Sequence, residues 1–146
     1  MDSGGAFKGA LQLHLGLREI GVDSRILARN PGLTTPLAEA WDPDPGGKKK
    51  LWKRSLQEIW SNRTALSNTH FSLDDLGVDV SRHPWVQEAD VIHLHWVAEF
   101  LSSRSLEKLA KLGKSIFWTL HDLRPMTGGC HFPAGCRGFL HYETTK

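Results

Sequence analysis

Two nearly continuous apolar runs with an amphipathic helical pattern between them constrain the fold of this chain more than any other feature. The first run, residues 89–97, reads Ala-Asp-Val-Ile-His-Leu-His-Trp-Val, and the second spans residues 115–121. Both have strand length, and runs without polar alternation predict strands covered on both faces. Between them, Ser102 or Ser103 supplies a helix cap, Leu106, Leu109 and Ala110 supply an inward face, and Gly113 supplies the stop. A strand-helix-strand unit is overwhelmingly parallel and right-handed, so its two strands end on the same side of the sheet. Ligands of open parallel sheets bind outside those ends. Residues 96–99 and 121–129 are therefore where chemistry is expected.

The remaining pattern agrees with an α/β domain. Ala6, Ala10, Leu13, Leu17 and Ile20 recur in steps of three and four, which predicts a helix with those residues inward, ended by Gly21. Residues 22–28 read as a short strand. Residues 31–47 hold Pro31, Pro36, Pro43 and Pro45 with three glycines, and a loop with no regular element is expected there. Residues 68–88 read as a linker with weak local helix.

Residues 48–63 form a predicted amphipathic helix, with Trp52, Leu56, Ile59 and Trp60 among Lys48, Lys49, Lys50, Lys53, Arg54 and Arg63. These six cations against Glu58 give the segment +5, so the rest of a chain whose net charge is +2 carries −3. One basic segment on a slightly acidic body points to a local anionic partner and not to nucleic-acid binding. Lysines interleaved with tryptophans suit an anionic membrane surface, because amines attract the headgroups and indoles settle at their depth. No apolar run approaches the roughly 20 residues of a membrane span. The start of the chain also lacks a secretory pattern, so a cytoplasmic location, peripheral at the inner membrane face, is expected. At 146 residues the chain fits one domain.

Several side chains can carry chemistry. His121-Asp122 closes the second strand, where an imidazole can bond a sugar hydroxyl and a neighbouring carboxylate can fix its tautomer. Gly4-Gly5 precedes the first helix, where backbone can approach a ligand closely. His93 and His95 share a strand face and, with His121 or Asp122 as a third ligand, suggest a metal-dependent hydrolase; the alternative is a pair of packed histidines bonded to their neighbours. Cys130 and Cys136, near His131 and His141, are either ordinary thiols or a loosely spaced zinc knuckle.

Taken together, Gly4-Gly5-Ala6 before the first helix, the run from Asp90 to Trp96, Trp118-Thr119-Leu120-His121-Asp122 and Thr127-Gly128-Gly129-Cys130-His131 resemble the N-terminal domain of family-4 glycosyltransferases. The branch that builds colanic acid and other bacterial exopolysaccharides is the most similar. The resemblance is close over residues 90–136, fair over 4–28 and poor over 31–70. It implies a Rossmann-like, mostly parallel sheet flanked by helices, forming the N-terminal, acceptor-side half of a GT-B architecture.

It further implies retaining transfer from a nucleotide-sugar donor to a lipid-linked or oligosaccharide acceptor, with no required metal or resident cofactor. By the same resemblance His121, followed by Asp122, lies beside the transferred sugar, and Gly4 and Gly5 form the glycine loop that reaches the cleft. His95, Trp96, Thr127 and Gly128 complete the expected substrate rim. The chain departs from the family pattern in lacking room for the first buried strand and in placing Arg124 where an aromatic is common. It also ends before a donor domain with paired glutamates, so no turnover is expected from this polypeptide alone. A binding module that works with a separately encoded donor domain is the non-catalytic alternative.

Overall fold

The computed structural model describes residues 4–29, 37–41, 56, 70–74, 77–132, 135 and 140. The described elements are helix α1 (Gly5–Glu19), strands β1 (Ile26–Ala28) and β2 (Ala38–Ala40), helix α2 (Pro84–Glu88), strand β3 (Val91–His95), helix α3 (Ser103–Ala110), strand β4 (Ser115–Thr119) and helix α4 (Arg124–Thr127). The fold is mixed α/β, with two parallel pairs, β1-β2 and β3-β4, flanked by helices.

The strand-helix-strand unit forms where expected, although of the anticipated inward face Leu109 is buried and Leu106 half-buried while Ala110, in the last turn, is exposed. Ser102 caps α3, its hydroxyl accepting from the Ser105 amide at 3.3 Å, and Gly113 at φ +68° closes the following turn. β3 and β4 pair in parallel from Val91 opposite Ser115 to His95 opposite Thr119. Leu94 is buried and Ile92 and Trp118 pack beside it, against a core of Val78, Val80, Val86, Val97, Leu101 and Leu109. Leu27 of β1 and Trp41 after β2 pack on the same core, so both strand pairs share it.

Three expectations need correction. Coverage of β3 and β4 on both faces fails: Val91 is 53% and Phe117 59% exposed, on the face away from the core. The apolar runs are thus half-covered strands, because α3 and the core occupy one face while α1 reaches the other near the histidines. Second, α1 buries His14, whose Nδ1 pairs with Ser24 Oγ at 2.9 Å, and leaves Leu13 37% and Ile20 76% exposed. Its contact with the sheet runs through small residues: a Cβ on Gly9 would stand 3.7 Å from His121 Cε1. Third, the proline-rich stretch contains a strand, β2, in register with β1 from Ile26 opposite Ala38 to Ala28 opposite Ala40. Pairing with β1 overrides the weak strand propensity of Ala-Glu-Ala.

Gly21, at φ +84°, ends α1 as anticipated. The Val22 amide donates to the Leu17 carbonyl and the Gly21 amide to that of Arg18, both at 3.0 Å, which is the paired bonding of a glycine-terminated helix. Arg25 then bridges Asp23 and Glu88, each at 2.8 Å, tying β1 to α2 at the surface. Lys108 and Ser81 hold the Asp79 carboxyl down at about 2. No described helix is long and apolar enough to cross a membrane. The residues expected to contact a membrane, Lys48, Lys49, Lys50, Trp52, Lys53, Arg54 and Trp60, and also Cys136, lie outside the described residues.

Candidate functional site

Because β3 and β4 run parallel and end in register, Trp96 and the His121-Asp122 pair emerge on one rim. The chain turns sharply there: Trp96 has φ +36° and Glu99 φ +60°, left-handed values that cost a non-glycine residue roughly 1–2 kcal/mol. Tertiary bonds hold both in place. The Trp96 indole N–H donates to Asp122 Oδ2 at 2.7 Å, and the Arg29 guanidinium donates to the Glu99 carbonyl at 3.1 Å. Such strain persists only where surrounding structure over-determines it, and it concentrates at functional sites. Beside the Trp96 turn lies a shallow, solvent-open cleft with room for little more than a water molecule at its floor, walled by Trp96, Trp118, His121, Asp122, Arg124 and Pro125.

His121 and Asp122 diverge at this rim. His121 turns to the histidine face, where its Nε2 and His95 Nδ1 are 3.1 Å apart, while His93 Nε2 pairs with Thr119 Oγ1 at 2.8 Å. Burial, reinforced by the neighbouring His93 and His121, holds His95 below its usual pKa, so its ring is neutral. His95 Nε2 is buried without a hydrogen-bond partner. A bare acceptor there costs less than an orphaned N–H, so the proton belongs on His95 Nδ1, which donates to His121 Nε2. That assignment leaves His121 Nδ1 as an N–H donor on an exposed residue.

Asp122 faces the other way. Its Oδ2 accepts from Trp96 and pairs with His131 Nδ1 at 2.6 Å, and its Oδ1 accepts from the Arg124 amide at 3.0 Å. Burial opposes the charged carboxylate, but these donors outweigh it and hold its pKa below the usual range. The anticipated bond from Asp122 to His121 is thus replaced by two separate pairings, His121 with His95 and Asp122 with His131.

The other anticipated residues are placed as follows. Gly4 caps α1 and Gly5 begins it, with open space around both and the cleft walls formed by other residues. Thr127 and Gly128 build the end of α4: Thr127 Oγ1 donates to the Cys130 carbonyl at 2.5 Å, and Gly128 takes φ +74°. Cys130 is a free, half-buried thiol. Among the described residues no group of three or more His, Cys, Asp or Glu side chains is arranged to hold a metal ion; His93, His95 and His121 bond to one another's strands instead.

Sequence reasoning missed Ser72, whose hydroxyl lies 2.9 Å from His131 Nε2. An isolated antiparallel bridge between Phe71 and Cys130 brings the two segments together. Nothing local signals a pairing across 59 residues. His131 stood out as a neighbour of Cys130 and as the end of the Thr127–His131 motif, with no role assigned to it.

The site makes a pH prediction. Burial also holds His131 below its usual pKa, against the opposing pull of Asp122, so His95 and His131 are both neutral in the fold. Their unfolded forms bind more protons, so stability rises with pH through this range. The contribution is complete above the unfolded value of 6.5 and is lost as pH falls below it. Urea midpoints should therefore drop between about pH 7 and pH 5. A flat profile there would show that neither ring is held neutral. The depressed Asp79 and Asp122 carboxyls act lower: their contribution is present above 3.8 and lost as pH falls through their folded values.

No family model matches the chain, and neither a curated protein nor a solved structure shows significant similarity to it.

Proposed function

We propose that this rim binds a sugar and that the chain serves as the acceptor-side half of a nucleotide-sugar-dependent glycosyltransferase of GT-B type. The observation that carries the reading is the meeting, at the shared end of two parallel strands, of an exposed tryptophan with an imidazole donor across a shallow cleft. A sugar presents an apolar C–H face and a polar hydroxyl edge. An indole platform suits the first and the His121 Nδ1–H the second. The acceptor is a lipid-linked or free oligosaccharide, and the donor half is supplied by a further domain, in the same polypeptide or a separate one. Asp122 contributes by organising the rim and His121 by touching the sugar.

An open cleft with two principal contacts predicts weak binding, on the order of millimolar, or about −4 kcal/mol. Titrating the chain with methyl glycosides and short oligosaccharides, followed by ¹H–¹⁵N NMR, should give saturable shifts around Trp96 and His121 that Trp96→Ala abolishes. Absence of any saturable response across the panel would overturn the sugar reading. In the transferase assembled with its donor half, His121→Ala should lower transfer by about a hundredfold or more. Unaltered turnover would remove His121 from the reaction.

A further inference from the structure

Beside the cleft runs a chain of hydrogen bonds that the sugar reading does not use: Ser72, His131, Asp122 and Trp96 in that order. We propose that His131 is a positioning residue, which fixes the Asp122 carboxylate and through it the Trp96 indole in the geometry that makes the rim a sugar platform. The proposal rests on the sugar-binding reading for its consequence and on the hydrogen-bond geometry for its mechanism.

The protons follow from the partners. Asp122 Oδ2, an ionised acceptor, takes the Trp96 N–H at 2.7 Å, so the 2.6 Å contact with His131 needs a proton on His131 Nδ1. A neutral imidazole then leaves Nε2 as an acceptor, and the Ser72 hydroxyl donates to it at 2.9 Å. Every member is satisfied by this single arrangement.

The same order of groups occurs in acyl-transfer triads, but here Ser72 and His131 are each 1% exposed, which keeps a substrate carbonyl away from the hydroxyl. The buried end is an anchor and the exposed end is Trp96. His131 is also clamped through its backbone, its amide donating to the His70 carbonyl at 3.0 Å and its carbonyl accepting from Leu123 at 3.1 Å. The His70 ring packs 4.3 Å from the His131 ring, and burial disfavours a second proton on His131 against the opposing pull of Asp122.

Trp96 is the residue with most to lose from slack in this chain. Its left-handed backbone is strained, the residue is 44% exposed, and its indole bond to Asp122 is what aims it. A carboxylate released on the His131 side can rotate and carry the indole off the cleft wall.

Two substitutions separate the nitrogens. His131→Asn keeps an amide donor where Nδ1–H stood and gives up Ser72, whereas His131→Gln keeps reach toward Ser72 and gives up the donor to Asp122. The readout is the Trp96 indole N–H resonance, identified by its disappearance in Trp96→Phe, together with affinity for the best methyl glycoside from the titration above. His131→Gln should move that resonance to the position of a water-exposed indole and weaken sugar binding by about tenfold, while His131→Asn restores most of both. An indole resonance indifferent to His131→Gln in a folded chain overturns the proposal.

Should His131→Gln fail to fold, Ser72→Ala keeps the imidazole and removes only its anchor. It should shift the same resonance in the same direction by a smaller amount, and an unmoved resonance again overturns the proposal. The two readings fail separately. A wild-type chain that binds no sugar but whose Trp96 resonance follows His131 loses the function and keeps the relay. A chain that binds sugar with an indole blind to His131 loses the relay alone.

Discussion

Replacing Gly77 with alanine should cost about 3 kcal/mol or more, among the largest single-site losses available in this chain. Gly77 is itself exposed, so the effect has nothing to do with burial of the new methyl. A Cβ at this position would overlap the Ser102 amide nitrogen and the Leu101 carbonyl carbon, which are backbone atoms and cannot rotate aside. That backbone is pinned from several directions. Leu101 is 2% exposed in the core, the Val78 amide donates to the Phe100 carbonyl at 2.8 Å, and the Ser105 hydroxyl donates to the Val78 carbonyl at 2.8 Å. Relief would require shifting the start of α3, and with it the cap at Ser102 and the seat of Leu109. Urea unfolding of Gly77→Ala checks this, and a loss below about 0.5 kcal/mol would mean the approach of the two segments is looser than described.

Asp122→Ala should lose a comparable amount, about 3 kcal/mol, by a different route. The carboxylate satisfies three donors, the Trp96 indole, the His131 ring and the Arg124 amide, at 2.7, 2.6 and 3.0 Å. Of these, His131 Nδ1 lies in a residue sealed from water, so truncation imposes most of its desolvation cost. The strained Trp96 turn also loses its tether. His121→Ala, one residue earlier, should cost less than about 1 kcal/mol, because His121 is exposed and gives up a single ring-to-ring bond. Thermal or urea unfolding of the two variants, with near-ultraviolet circular dichroism as a monitor of the tryptophans, tests the contrast. Equal losses would mean that the rim is held by His121 as much as by Asp122.

Local grammar carried most of the elements. Ser102 before a run with leucines at helical spacing, Gly113 and Gly21 after such runs, and two apolar stretches on either side of a helix all led to the structures they specify. Two kinds of information were not local. Coverage of a strand depends on what lies above it, and neither β3 nor β4 states in its own residues that Val91 and Phe117 face outward. β2 likewise has no strand-forming residues of its own and exists through its partner β1. At the site, topology alone put Trp96, His121 and Asp122 on one rim, and His95 joined them through the resemblance. Which of them bond to which was not legible, because His121 and Asp122 face different partners and because His131 reaches Ser72 across a long stretch of chain. A buried serine among ordinary polar residues announces nothing until a histidine arrives beside it.

The divergence of His121 and Asp122 has a consequence for how this rim can change. Neighbouring residues that answer to separate networks are free to vary on separate schedules. Substitutions around His95, Thr119 and the Gly9 face of α1 act on the imidazole, and changes around Ser72 and His131 act on the Asp122 carboxylate and the indole it holds. If the rim binds a sugar as proposed, hydroxyl contact and platform angle are then two separate settings side by side on one dipeptide.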